Sequence, residues 1–206
     1  MIKNMRAIEY NTFMTILKLL GDRLPDIANS YGISNISIPV LPAYPADLTD
    51  MEKPSIIVRK VDTRQSKVGL GNVLGQFYDS ELGGYSDVVG KRHDIMMQFD
   101  VVTSNNMHRS LFESIISDDI LNYISYSESG NIILYDFTRD MNNPEPIGIL
   151  KLIGDSNIIN IMDKDSTNTN YIGVVRHNFA TIQTIVPQQD YVDLSKWIKM
   201  TYKIKL

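Results

Sequence analysis

Cysteine is absent from this 206-residue chain. That excludes disulfide staples, thiolate metal sites and cysteine nucleophiles, and it fits a protein made in a reducing cytoplasm. Histidine is scarce: His93, His108 and His177 form no pair at helical spacing and no HExxH, so the common zinc-hydrolase pattern is missing. No run approaches the roughly 18 apolar residues that span a bilayer. The opening MIKNMRAIEYNTFM holds no apolar stretch of signal-peptide length. Positive charge is thin. The net charge is −4 and the pI about 5.3. No basic cluster is longer than Lys91-Arg92, and Lys196, Lys199, Lys203 and Lys205 follow near the end. A groove-reading nucleic-acid binder needs a basic patch, so neither specific nucleic-acid binding nor a membrane partner is expected.

What is present is core material. Apolar residues make up 43% and aromatics 9% of the chain, a composition that folds. The length suits a single domain over 1–206. The segment Lys91–Ile124 reads as one strand and one helix. Ile95, Met97, Phe99 and Val101 alternate onto one face, with His93, Asp94, Gln98 and Asp100 the polar members, mostly on the other. Ser104-Asn105-Asn106 supplies capping oxygens. Then Met107, Leu111, Ile115 and Phe112, Ile116, Ile120, Ile124 recur at steps of four, predicting a helix whose Arg109, Glu113 and Asp118 stay wet.

Upstream, Ile8, Phe13, Ile16, Leu17, Leu20, Leu24 and Ile27 form a second helical stripe. Gly21 and Pro25 predict its end near Leu20 or a restart after Pro25. A proline-marked connection, 34–54, carries a short strand around Ile36–Val40. Residues 55–61, SIIVRKV, are apolar at three consecutive positions, the pattern of a strand buried on both faces. Strands are predicted at 131–137, 147–153, 157–162, 171–176, 181–186 and 197–204, with turn signals that include Gly154-Asp155. The order predicts an α+β fold: a mainly antiparallel sheet, helices packed on one face, and a long loop or hairpin. Its core covers about 7–137, a strand-rich part about 138–206, and the protruding loop about 62–93.

Motifs for chemistry fail on spacing. Gly69-Leu70-Gly71-Asn72-Val73-Leu74-Gly75 has leucine where a dinucleotide fingerprint needs its third glycine, and no helical stripe follows. Asp163, Asp165, Thr167 and Thr169 imitate a calcium loop, but Asn168 and Val174 stand where glycine and glutamate are required. His93 reads as an exposed strand position. Adjacent Asp118-Asp119 do not face each other on a helix. No catalytic, cofactor-binding or metal-ligating residue is assigned. The candidate surface residues are Phe77, Tyr78 and Tyr85, aromatics in a polar, glycine-rich segment that either pin the loop to the core or anchor a partner. Lys67, Lys91 and Arg92 are the matching rim charges.

An amphipathic helix at 8–20, a proline-marked connection, the strand SIIVRKV, a loop, and GKRHDIMMQFDVVTSNNMHRSLFESIISDDIL follow in that order. This succession resembles the tail terminator proteins of long-tailed bacteriophages, with related tail-completion and neck proteins. The resemblance covers roughly residues 7–20 and 55–124. It implies a non-enzymatic ring protein of the virion, assembled in the host cytoplasm. Family members are typically hexamers that cap the tail tube, and in contractile tails hold the last sheath ring. They meet the head–tail connector and let DNA pass through the lumen. A head-completion or baseplate component would carry a similar sequence, and an enzyme with a non-local site is the third reading.

Overall fold

The strand at the centre of the fold is buried on both sides. The computed structural model describes residues 7–33, 37–45, 51–68, 73–79, 83–120, 132–164 and 169–185. In chain order the elements are α1 (Ile8–Ser30), β1 (Val40–Leu41), β2 (Ser55–Lys67), β3 (Val73–Asp79), β4 (Gly84–Thr103), α2 (Asn106–Ser114), a π-helical turn (Ile115–Ile120), β5 (Ile132–Asp136), β6 (Glu145–Lys164) and β7 (Thr169–Ile185). The fold is α+β. Two units are distinguishable: a larger one of residues 6–66 and 92–183, and a smaller one of 67–91 with 1–5 and 184–206.

In the larger unit the strand order is β1-β2-β4-β7-β6-β5. β1 runs parallel to β2, while β5/β6 and β6/β7 are antiparallel. His93 meets Gln183 and Gln98 meets Arg176, so β4 and β7 also run in opposite directions. α1 touches β1 and β5, the two ends of this order, so the sheet curls around the helix. Ile95, Met97, Phe99 and Val101 of β4 are buried on the inner face, as their alternation predicts. In the smaller unit, β3 pairs antiparallel with the first part of β4, so the glycine-rich segment contains a hairpin.

α1 does not stop at Leu20. It continues through Pro25 to Ser30. Proline forfeits one helical hydrogen bond, but Leu24 and Ala28, on either side of it, are buried, and that burial offsets the loss. Gly32, with φ of +78°, closes the helix: its N–H donates to Asn29 and that of Ile33 to Ala28, both at 3.0 Å. Three buried residues of the helix are polar: Asn11, Thr12 and Thr15. Two of them cap the outermost strand. Tyr135 N–H donates to Thr15 Oγ1 (3.2 Å) and Phe137 N–H to Asn11 Oδ1 (3.0 Å). Edge donors that would invite another strand are thus consumed by helix side chains.

Asn105 caps α2, accepting from Met107 N–H at 2.8 Å. The expected stripe shifts, however. Met107 lies in the first turn and is 77% exposed, whereas Phe112, Ile115 and Ile116 are buried. Glu113 was expected to be wet and is buried; the Arg109 side chain is also largely covered, 3.5 Å away. The reason is Gly173 of β7. A Cβ there would collide with the Glu113 carboxylate, so glycine is what admits the acid. Burial raises the Glu113 pKa, against the pull of Arg109. Ile120 has its main chain in the π-helical turn, and Ile124 lies outside the described residues.

Two pairs of predicted strands are single long ones. The 147–153 and 157–162 predictions are one β6, and 171–176 and 181–186 merge in β7. Gly154, at φ +70°, supplies an irregularity within β6 where the register against β7 shifts between Ile153 and Asn157. Turn chemistry and bulge chemistry share that backbone requirement, which is why the glycine signalled a turn. The β6–β7 hairpin places the calcium-like run at its tip, where 165–168 lie outside the described residues, as does the 197–204 prediction.

The polar members of β4 were placed mostly on the face opposite the apolar one, with His93 read as exposed. His93, Gln98 and Asp100 are instead buried. Asp100 Oδ2 takes Arg59 Nη2 (2.6 Å) and the Tyr44 hydroxyl (2.8 Å), while Oδ1 accepts from Gln98 Nε2 (2.6 Å). Gln98 in turn accepts from Arg176 Nε at 2.8 Å. The Arg59 guanidinium sits 5.3 Å from the Tyr44 ring centroid. Burial first, and the hydrogen bond to Asp100 second, hold the Tyr44 phenol well above its ordinary range and keep it a donor. Replacing Asp100 with alanine strands these donors. Part of the loss is recovered because Arg59 is half-exposed and rehydrates; the D100A variant is expected to lose about 3 kcal/mol of stability in urea unfolding.

His177 is buried between Phe99 (5.8 Å between ring centroids) and Phe179 (6.3 Å). Neither ring nitrogen has a hydrogen-bond partner. Burial lowers its pKa to about 4, with the Ile116 main chain and Asp118 pulling the other way. The unfolded chain therefore binds this proton first as pH falls. Stability owed to neutral His177 is complete above pH ~6.5 and is lost towards pH ~4, by roughly 3 kcal/mol at most. Glu113, with its raised pKa, contributes with opposite sign from pH ~4.5 upward. Urea midpoints measured from pH 7 to 4.5 should fall in the parent protein and fall much less in His177→Phe.

Candidate interaction surface

The hairpin that joins β3 to β4 brings two predicted contact residues together. Tyr78 and Tyr85 are direct cross-strand partners. Their rings meet edge-to-face at 5.3 Å and 65°, a favoured aromatic geometry. Yet 58% of Tyr78 and 70% of Tyr85 remain exposed, so the pair spends its area on each other and on solvent. Gln76 and Asp87, one pleat along on the same face, are also partners, through a 2.7 Å side-chain hydrogen bond. Phe77 lies in β3 opposite Ser86, and its side chain is outside the described residues. Lys67 and Lys91, at the two ends of the 67–91 segment of the smaller unit, are exposed.

Arg92 belongs to the larger unit, where it is half-buried and donates from Nε to Asp94 at 2.7 Å. It lines a cleft of about 290 Å³ on the outer face of the curled sheet, with Asp62, Arg64, Asp94, Met96, Ile153 and Asn178. Arg64 is held by Asp62 at 3.3 Å. Each guanidinium in the cleft is oriented by its own carboxylate, which suits a paired, structural role. Among the described residues no group of three or more histidine or acidic side chains is placed to hold a metal. His93, read from sequence as exposed, is buried and meets Gln183 at 3.1 Å. Gly69–Asn72 lie outside the described residues, and β3, a strand rather than a helix, follows them.

Beside the cleft lies a feature that sequence reasoning missed. Ile133 of β5 is the direct partner of Ile149 in β6. Leu150 pairs with Thr181, so the next register step sets Ile149 opposite Ile182 of β7. These three isoleucines are 51%, 51% and 47% exposed, and they form a continuous apolar ladder across three adjacent strands. Ile149 and Ile153 share one side of β6 by alternation, so the ladder is on the same outer face as the cleft. Nothing in a single strand's sequence marks it: Ile133 sits between the core residues Ile132 and Leu134, Ile149 sits beside the core residue Leu150, and only the register aligns the exposed ones.

Because Tyr78 and Tyr85 are mostly exposed, removing both rings should change folding stability by less than about 1 kcal/mol. Thermal unfolding of Y78S/Y85S against the parent checks this, and it leaves the pair free to be tested for binding. No helix among the described residues is long and apolar enough to cross a membrane. A scan against protein-family models finds no match, and a search of curated proteins finds no significant relative.

Proposed function

We propose that this chain is a virion structural protein. It forms a ring at the head-proximal end of a phage tail, ends tube and sheath growth, and joins the tail to the neck. The observation that carries the reading is the solvent-facing tyrosine pair on the β3–β4 hairpin. Exposed aromatics on an extended element bring large contact area at small side-chain entropy cost, which is how an assembly surface is built. The order of helix, connection, strand, hairpin, strand and helix that resembles tail terminators supports it, as does the mild acidity of a chain that must let a duplex pass without holding it.

On this reading the purified chain forms rings, alone or on meeting its tube protein. Light scattering after size exclusion, with and without tube protein, followed by imaging of the oligomeric fraction, tests it. Rings that cap tube ends and stop their growth are the expected outcome. A strict monomer at high concentration that ignores tube protein would sink the assignment.

A further inference from the structure

Without cysteine the chain has no thiol to take up a one-electron oxidation. It has eleven tyrosines, and their settings differ. Tyr44 is committed as a donor to Asp100, and its phenol holds its proton well above the ordinary range. Tyr10 and Tyr31 are exposed. Tyr78 and Tyr85 are the most exposed tyrosines among the described residues, and their rings touch each other. They stand opposite across the hairpin, one pair before Asp79 and Gly84 end the ladder at the turn. The edge-to-face contact points the edge of one ring at the other, and solvent over the remaining surface leaves both rings room to turn. The ladder meanwhile keeps directly opposed Cβ atoms about 4.5–5.5 Å apart. We propose that this pair is an oxidative cross-linking site, where a one-electron oxidant couples the two rings into an intrachain dityrosine.

Each phenol gives up one electron and one proton. The radicals that result share their spin with the ring carbons ortho to oxygen, and a carbon–carbon bond forms between one such carbon of each ring. The two ring hydrogens at the new bond then move, by way of solvent, to the oxygens and restore both phenols. In sum the chain loses two hydrogen atoms, the oxidant takes two electrons and water takes two protons. Alignment within one hairpin favours this path over coupling between chains, which requires two oxidised molecules to meet. The product locks the hairpin register beside its turn, a covalent tie in a chain that cannot form a disulfide. This site goes beyond the assembly reading and stands without it.

The test illuminates the full chain with ruthenium tris-bipyridyl and persulfate, which oxidise phenols one electron at a time. The tryptic peptide 68–91 holds Tyr78 and Tyr85 as its only tyrosines, and Glu81 lies between them. Cleavage after Glu81 therefore separates the two rings unless they are bonded. The expected product is a monomer lighter by two hydrogen atoms, with dityrosine fluorescence and with its 68–81 and 82–91 halves still joined. Its yield per chain should hold constant on dilution and should fall roughly tenfold in Y78F, in Y85F and in urea, where the alignment is lost. Halves that come apart after cleavage overturn the proposal. So does a yield that falls with dilution while linked dimers appear, or a cross-link that survives Y78F. A cross-link that forms equally well in urea also overturns it, because that product would owe nothing to the hairpin.

Discussion

One buried carboxylate ties the centre of the sheet together. Asp100 lies on β4 and takes a guanidinium from β2, a phenol from the connection after β1, and an amide from its own strand that is itself held by β7. Three adjacent strands and the Tyr44 segment are therefore fixed by a single side chain. A charge without solvent is tolerable only when it is paired and fully bonded. Here that condition is met by groups that arrive from separate parts of the chain, so the network exists only when the strand order is correct. Next to it, Ile57, Val102 and Met51 are buried with Leu41, Tyr44 and Ile172 packed against them. The outer face is thus covered by chain at one end and left open at the other.

The edges of this sheet are closed by different means. At β5, Asn11 and Thr15 take main-chain donors that would otherwise face a new strand. Asp136 joins this arrangement. Burial alone would raise its pKa, but hydrogen bonds from Thr138 and Asn11, with Arg139 nearby, bring it below the ordinary range. At the other end β1 is two residues long and is bracketed by Pro39 and Pro42. Growth by strand addition is disfavoured at both. If the chain assembles, faces and the hairpin are the surfaces left to do it.

How much of this was legible in the sequence depends on what each pattern encodes. Alternation along Ile95–Val101 identified residues sharing a face, and the structure agrees. It could not say whether the opposite face is wet, because that depends on Arg59, Tyr44 and Arg176, which are distant in sequence. Likewise a step of four located α2, but the depth of Glu113 was decided by the missing Cβ at Gly173, some sixty residues on. The capping of β5 had a faint signal: Asn11 and Thr15 are four apart, and Thr12 is the other buried polar residue of the helix face. Tyr78 and Tyr85 were recognisable as unusual aromatics, whereas their contact needed the hairpin register. The isoleucine ladder needed two registers at once, and composition contains neither.

The outer face sets paired charges beside exposed isoleucines. The two arginines that line its cleft are already paired, Arg92 with Asp94 and Arg64 with Asp62. Removing water from a lone guanidinium costs several kcal/mol, and a partner would have to repay it. Charges neutralised within the sheet lower that penalty, while the isoleucines beside them still gain from being covered. A fully apolar face of the same size would associate without selection; a face of unpaired charges would resist association altogether. Alternating the two kinds of residue across adjacent strands would, on the proposed reading, reserve the apolar gain for a partner whose charges fit.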